Sequence, residues 1–197
     1  MQFTIKTNEL KALLLCAGKK DVRYYLNGVH FEGAAKSIIA VATDGHRLLA
    51  VNLPGQQPEG VKALIPRALI EAAVKTKAPV IDIKIEGGNV TLSSAGQNVS
   101  GSIGEGVYPD YRRVIPASVS GEFSQFQHDY MAEFDKVGLL LNGTTASILH
   151  NGGSAALVKF DCDNAIGVLM PWRHDLPTDL TRPAWIELPA APLQAAA

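Results

Sequence analysis

Hydrophobic positions along this chain change period several times, and the changes recur in the same order. Residues 2–6 (QFTIK) alternate, which predicts a short strand. Thr7 or Asn8 can cap a following helix, with Leu10, Leu13 and Leu14 on one face and Gly18 at its end. Three strand-like runs follow: 23–32 (RYYLNGVHFE), with a bend at Asn27-Gly28, then 37–45 (SIIAVATDG) and 46–54 (HRLLAVNLP). After the turn-rich stretch PGQQPEG the order restarts. Residues 61–65 read as a strand, and Pro66 suits the first turn of a helix striped by Leu69, Ile70, Ala73 and Val74. Strands follow at 80–86, 89–95 and 97–106, the first two joined by a turn at Gly87-Gly88-Asn89. A third round has a strand at 121–127 (GEFSQFQ), a helix from 128 to 141 whose pattern runs on toward the next strand, and strands at 147–151, 154–161 and 165–172. Asn151-Gly152-Gly153 marks a turn in that last group.

The chain therefore repeats one unit three times, strand-helix-strand-strand-strand, with a period of roughly 55–60 residues. Each unit is amphipathic and too small to bury its own sheet and helix, so units must pack side by side, within or between chains. The predicted class is α+β, with repeated β-α-β-β-β units and helices on one face of antiparallel sheets. Residues 1–116 form one body of two units, 117–175 a half-sized body, and the Pro- and Ala-rich stretch 176–197 a tail.

Composition narrows the function classes without choosing one. The chain has 197 residues, a 47% hydrophobic share and a net charge of −1, so any nucleic-acid role requires basic residues gathered on one face. Cys16 and Cys162 stand far apart in no metal-spaced pattern and read as free thiols of a reducing compartment. No run approaches the roughly 20 apolar residues of a membrane span, and a cytoplasmic protein with no metal or cofactor is expected. Asp44 and His46 lie close together, but no nucleophile motif accompanies them, so the residues alone allow a hydrogen-bonded turn as well as a site.

Three segments add a resemblance. Residues 21–32 (DVRYYLNGVHFE) with 41–51 (VATDGHRLLAV), 108–116 (YPDYRRVIP) and 168–173 (VLMPWR) resemble, in order, the bacterial DNA polymerase beta sliding clamp family. Residues 1–116 are similar to the whole middle domain of a three-domain clamp subunit. Residues 118–173 are similar to the second half of its last domain. The resemblance implies a DNA clamp fold and a non-catalytic protein that encircles duplex DNA.

It also implies site residues. A pocket for partner peptides, each a Gln followed by hydrophobic residues, maps onto Leu26, Thr43, Gly45, His46, Arg47, Leu48, Pro109, Arg113, Val114, Val168, Met170, Pro171, Trp172 and Arg173. Trp172 stands where the family commonly has Met. Contacts to DNA phosphates map onto Lys11, Lys19, Lys20, Arg23, Tyr24, Tyr25, Arg67, Lys75 and Lys77, independent of base sequence. The implied partners are duplex DNA, a replicative polymerase, other proteins with the clamp motif, and a clamp loader. Family rings hold twelve such units, so three per chain imply a homotetramer. An odd number of units leaves the third to pair with its equivalent in another chain. One feature opposes a uniformly basic hole: the third helix carries Asp129, Glu133 and Asp135 against Lys136. Two other readings compete, a clamp-derived adaptor or decoy that binds partner peptides without encircling DNA, and an enzyme on an unrelated α+β fold.

Overall fold

A computed structural model describes residues 1–34, 36–56 and 60–172. The first unit comprises β1 (Gln2–Lys6), α1 (Thr7–Cys16), β2 (Gly28–Ala34), β3 (Ser37–Thr43) and β4 (Arg47–Pro54). The second comprises β5 (Lys62–Pro66), α2 (Arg67–Ala73), β6 (Val80–Glu86), β7 (Asn89–Ser94) and β8 (Gln97–Ser102). The third comprises α3 (His128–Asn142), β9 (Ser147–Leu149), β10 (Ala156–Lys159) and β11 (Ala165–Leu169).

The first two units exchange their leading strands. One sheet runs β1-β6-β7-β8, and the other runs β5-β2-β3-β4-β11-β10-β9. Thus β1 pairs with β6 of the second unit, and β5 pairs with β2 of the first. All pairings are antiparallel, and β4 against β11 joins the third unit to the first in one continuous sheet. Alternation explains the outer strands: β1 and β6 bury every second residue, Phe3 and Ile5 opposite Ile83 and Ile81.

The runs of β3 and β4 are continuously apolar because both faces of the long sheet are covered. Val29, Phe31, Ile38, Ala40, Leu49 and Val51 face the main core with the helices. On the other face, Val41, Leu48, Ala50 and Val168 pack under Tyr111. Tyr111 belongs to the strap that follows β8 and crosses the sheet. Its hydroxyl donates to Glu32 at 2.7 Å, and Arg112 also bonds Glu32. Helix α1 packs against both α3 and α2, giving one helical layer.

Several expected elements differ. The run 23–32 is not one strand: Tyr24–Leu26 forms a 3-10 turn, and β2 starts at Gly28. Asn27 holds that turn by donating to the Asp21 carbonyl at 2.7 Å. Glycine is required next, because a Cβ on Gly28 would lie 2.5 Å from the Ile65 carbonyl oxygen. Pro66 closes β5 and stands as N-cap of α2 rather than inside its first turn, and Lys6 rather than Thr7 or Asn8 takes that place before α1. Helix α3 does not continue into the next strand; Gly143, at φ 80°, ends it in the left-handed conformation. Residues 121–127 belong to no strand, although Ser124 and Phe126 alternate inward as in β1. The residues expected as a tail lie outside the described ones.

Candidate functional site

The loop between β3 and β4 is organised by Asp44. Its Oδ1 accepts from the backbone N–H groups of His46 at 2.9 Å and Arg47 at 3.1 Å. Thr43 Oγ1 donates to the Arg47 carbonyl at 2.6 Å and accepts from Gly45 N–H at 3.1 Å. Gly45 has φ 91°, and a Cβ there would meet Arg23 Nη1 at 2.9 Å, so this turn needs glycine. Arg23 Nη2 donates to the Asp44 carbonyl at 3.1 Å. The Arg23 guanidinium also pairs with Asp21 and pulls that carboxyl down to about 2.

Arg47 carries the site's main electrostatics. Its side chain is 8% exposed, bonds Asp44 at 3.0 Å through Nε, pairs with Glu133 of α3, and stacks its guanidinium 4.4 Å from the Tyr130 ring centre. Those contacts tie the first unit to the third. The Met170 N–H donates to the His46 carbonyl at 2.9 Å, which sets the residues after β11 beside the same loop.

Together these segments enclose a cavity of about 240 Å³. Of the residues expected at the peptide pocket, Leu26, Thr43, Gly45, Arg47, Leu48, Pro109, Val114, Val168 and Met170 line it. Leu48 and Val168 face each other across the β4–β11 seam and make its buried floor. Val114, 45% exposed, and Met170, 37% exposed, stand at its rim. His46, Arg113, Pro171 and Trp172 are not among the lining residues, and Arg173 lies outside the described residues. His46 instead stacks on Tyr130, ring centres 6.1 Å apart, and the Trp172 N–H donates to the Gln125 carbonyl at 2.7 Å.

Four further residues line the cavity: Arg23, Tyr25, Asp110 and Tyr111. Arg23 and Tyr25 were assigned to the DNA side on the resemblance; sequence reasoning left out Asp110 and Tyr111. Their place inside YPDYRRVIP was the available signal. Burial and the bond to Glu32 push the Tyr111 hydroxyl well above an ordinary tyrosine, so it stays a neutral donor. A larger open cleft of about 580 Å³ lies on the other side of Tyr111, reaching Asn52, Phe160 and Cys162.

The expected DNA-facing residues separate into groups. Lys19 and Lys20 are exposed on the loop after α1, with Tyr24 beside them 62% exposed. Lys75 and Lys77 are exposed beyond α2. Lys11 and Lys77 share a groove with Lys6, which was not predicted, bounded by Leu140 and Leu141 of α3. Arg67 is committed inside the fold: its Nη1 donates to the carbonyls of Leu14 at 2.8 Å and Ala17 at 3.0 Å, and its Nε bonds Glu71 at 2.7 Å. It caps the C-terminal end of α1, which has no basic residue of its own there. The acidic residues of α3 find fold roles too. Glu133 pairs with Arg47, and Asp135 accepts the Ala146 N–H at 3.3 Å. Asp129 sits in the first helical turn, where a negative charge is favourable.

This layered sheet-and-helix repeat is the fold of the polymerase sliding clamps. It superposes on a sliding clamp from Pseudomonas aeruginosa with TM-score 0.71 at 22% identity, covering 88% of this chain and 67% of that one. The clamp subunit of Borrelia burgdorferi gives TM-score 0.71 at 16% identity. In sequence, residues 4–110 match the family model of the DNA polymerase III beta subunit, central domain, which is more than half of the chain. The beta sliding clamp of Escherichia coli K12 is 32% identical over 124 residues, 59% of this chain and 34% of that protein. That of Caulobacter vibrioides is 31% identical over 130 residues. The chain belongs to the DNA polymerase III beta subunit family, the bacterial beta sliding clamps. It spans about a third of the length of these curated relatives (34%). No helix among the described residues is long and apolar enough to cross a membrane.

Proposed function

We propose that this chain is a compact sliding clamp: a non-catalytic cytoplasmic ring around duplex DNA that tethers partner proteins through short peptides. The observation that carries this reading is the cavity of about 240 Å³, assembled from four separated stretches of the chain. Its apolar floor suits aliphatic or aromatic anchors, and Met170 adapts to varied ligands. Arg23, paired with Asp21 and lining the cavity, offers a polar edge for a glutamine side chain. The replicative polymerase and other proteins with clamp-binding motifs are the partners, and a clamp loader is a further one.

Four chains of three units each make the ring. Lys6, Lys11, Lys19, Lys20, Lys75 and Lys77 supply phosphate contacts independent of sequence. Engagement of Glu133 and Asp135 within the fold removes most of the acidic objection to such a hole. The test is electron microscopy of the oligomer with DNA retention assays. A closed ring that is held on circular duplex and slides off linear duplex is expected. Peptide binding by a protein that forms no ring would instead establish the adaptor reading.

A further inference from the structure

We propose that the third unit docks on its counterpart in a second copy of this chain by reciprocal strand exchange. Residues 125–127 of each copy add to the open edge of β9 (Ser147–Leu149) in the other. This rests on the ring reading only for the total of four chains.

The first two units supply the rule. Each helix has its N-cap at the end of a leading segment: Lys6, Pro66 and Gln127. The residue before it is buried each time, Ile5 at 2%, Ile65 at 0% and Phe126 at 4% exposure. In the first two units that segment pairs with the other unit, never with its own. Lys6 lies opposite Val80, and Pro66 opposite Gly28, each the first residue of the strand after the other unit's helix. The next backbone group follows the same rule. Thr7 N–H donates to the Pro79 carbonyl at 2.9 Å, and Arg67 N–H to the Asn27 carbonyl at 2.9 Å.

The third unit has both halves of this arrangement, but the start of its leading segment touches its own unit, Gly121 N–H donating to the His150 carbonyl at 3.1 Å and Gly152 N–H to the Glu122 carbonyl at 2.9 Å, while its end has no strand partner among the described residues. Among the described residues, no backbone–backbone hydrogen bond reaches Phe126 or the His128 N–H. Among the described residues β9 pairs only with β10, which leaves its other edge open over Ser147–Leu149. Buried unpaired backbone and an open sheet edge are each unfavourable. Phe123, just ahead of the segment, stacks on His150 with ring centres 5.2 Å apart and is 77% exposed.

The segment is already aimed outward. In β1, Thr4 turns its backbone N–H away from β6 toward Gln56, just beyond β4. Gln125, one residue before Phe126 as Thr4 is before Ile5, likewise turns its carbonyl to Trp172, just beyond β11. Phe126 therefore presents its N–H and C=O to the side corresponding to the one from which β6 pairs with β1. A two-fold axis satisfies both copies at once, because the same surface serves as donor and acceptor. The register follows from the rule: Gln127 faces Ser147 of the second copy, Phe126 faces Ile148, and His128 N–H donates to the Ala146 carbonyl. Gln127 and Ser147 are both exposed, the same parity as Lys6 and Val80.

Disulfide trapping tests this. Cross-strand neighbours bring Cβ atoms to about 4.5–5.5 Å, closest at non-hydrogen-bonded pairs. Two preparations of the full chain, Gln127→Cys and Ser147→Cys, each with Cys162→Ser, are mixed under mild oxidation. A covalent dimer from the mixture and from neither preparation alone is expected. Its absence, with both variants folded by circular dichroism, overturns the proposal. In the unaltered chain, the Phe126 and His128 amides should exchange slowly at high protein concentration and at least tenfold faster on dilution. Fast exchange at every concentration also overturns it. A trapped dimer that is not retained on circular DNA would refute the ring and leave this junction standing.

Discussion

Met170→Ala isolates the proposed peptide pocket from the fold. Leu48 is the more obvious target, but it is 3% exposed and forms part of the sheet's outer core, so its truncation would destabilise the protein by about 2–5 kcal/mol. Met170 is 37% exposed and lines the cavity rim. Burying a whole Met side chain is worth about 1.5–3 kcal/mol. A docked peptide covering the exposed third would therefore gain about 0.6–1.1 kcal/mol from this residue, roughly a three- to sixfold change in Kd. The assay is fluorescence anisotropy of a labelled clamp-binding peptide, a Gln followed by hydrophobic residues, with thermal melting of the same variant. We expect the peptide Kd to rise by that factor with melting nearly unchanged. An unchanged Kd would remove Met170 from the site. A melting loss as large as that expected for Leu48 would refute the separation between rim and core.

Three more predictions rest on groups inside the fold. Arg67→Ala should lose charge-assisted bonds worth about 1.5–3 kcal/mol and lower Tm by several degrees, because it removes the cap on α1; unchanged melting with weakened DNA retention would return Arg67 to the DNA face. His30 is held below its ordinary value of 6.5, mainly by burial, against a partial pull upward from Glu32 and with Lys62 and Arg112 adding to the lowering. The unfolded chain then takes the proton first as pH falls, so stability is full above about 6.5 and declines below it; His30→Gln should flatten denaturant midpoints between pH 7 and 5, and an identical slope would refute this. Burial pushes the Cys16 thiol up to about 12, while Cys162 lines an open cleft. A thiol reagent at pH 8 should modify Cys162 in the native protein and Cys16 only on unfolding, and equal rates would contradict the buried placement.

Local signals in the sequence were strong enough to locate nearly every strand and all three helices. Alternation at β1 and β6, the Leu stripe of α1 and the glycine turns are short-range features. What the sequence concealed is long-range. The exchange of β1 and β5 has no local signature, because a strand's pattern says which face is buried and not which neighbour it meets. Residues 121–127 have the same alternation as β1, yet form no strand ladder: they bond the chain through single contacts to His150, Asn151, Gly152 and Trp172. Arg67 looked like a surface cation and instead reaches the carbonyl end of α1, at Leu14 and Ala17, 53 and 50 residues earlier in the chain. Pocket residues were legible only through the resemblance, which supplied the floor and missed Tyr111, whose role depends on the strap crossing the sheet.

The pocket floor and the seam between units are the same atoms. Leu48 and Val168 are direct neighbours across β4 and β11, and they pack with Val41, Ala50 and Tyr111 in one cluster. Arg47 reinforces that seam from the other side through Glu133. A peptide in the cavity would therefore touch both units at once and bind only when they are docked. By linkage, a ligand that binds the docked state alone stabilises the docking, by about 2.7 kcal/mol at a hundredfold excess over Kd. On the proposed reading, a chain of three units cannot shed its third and keep a peptide site, whereas the β9 edge lines no part of that cavity and stays open to another copy.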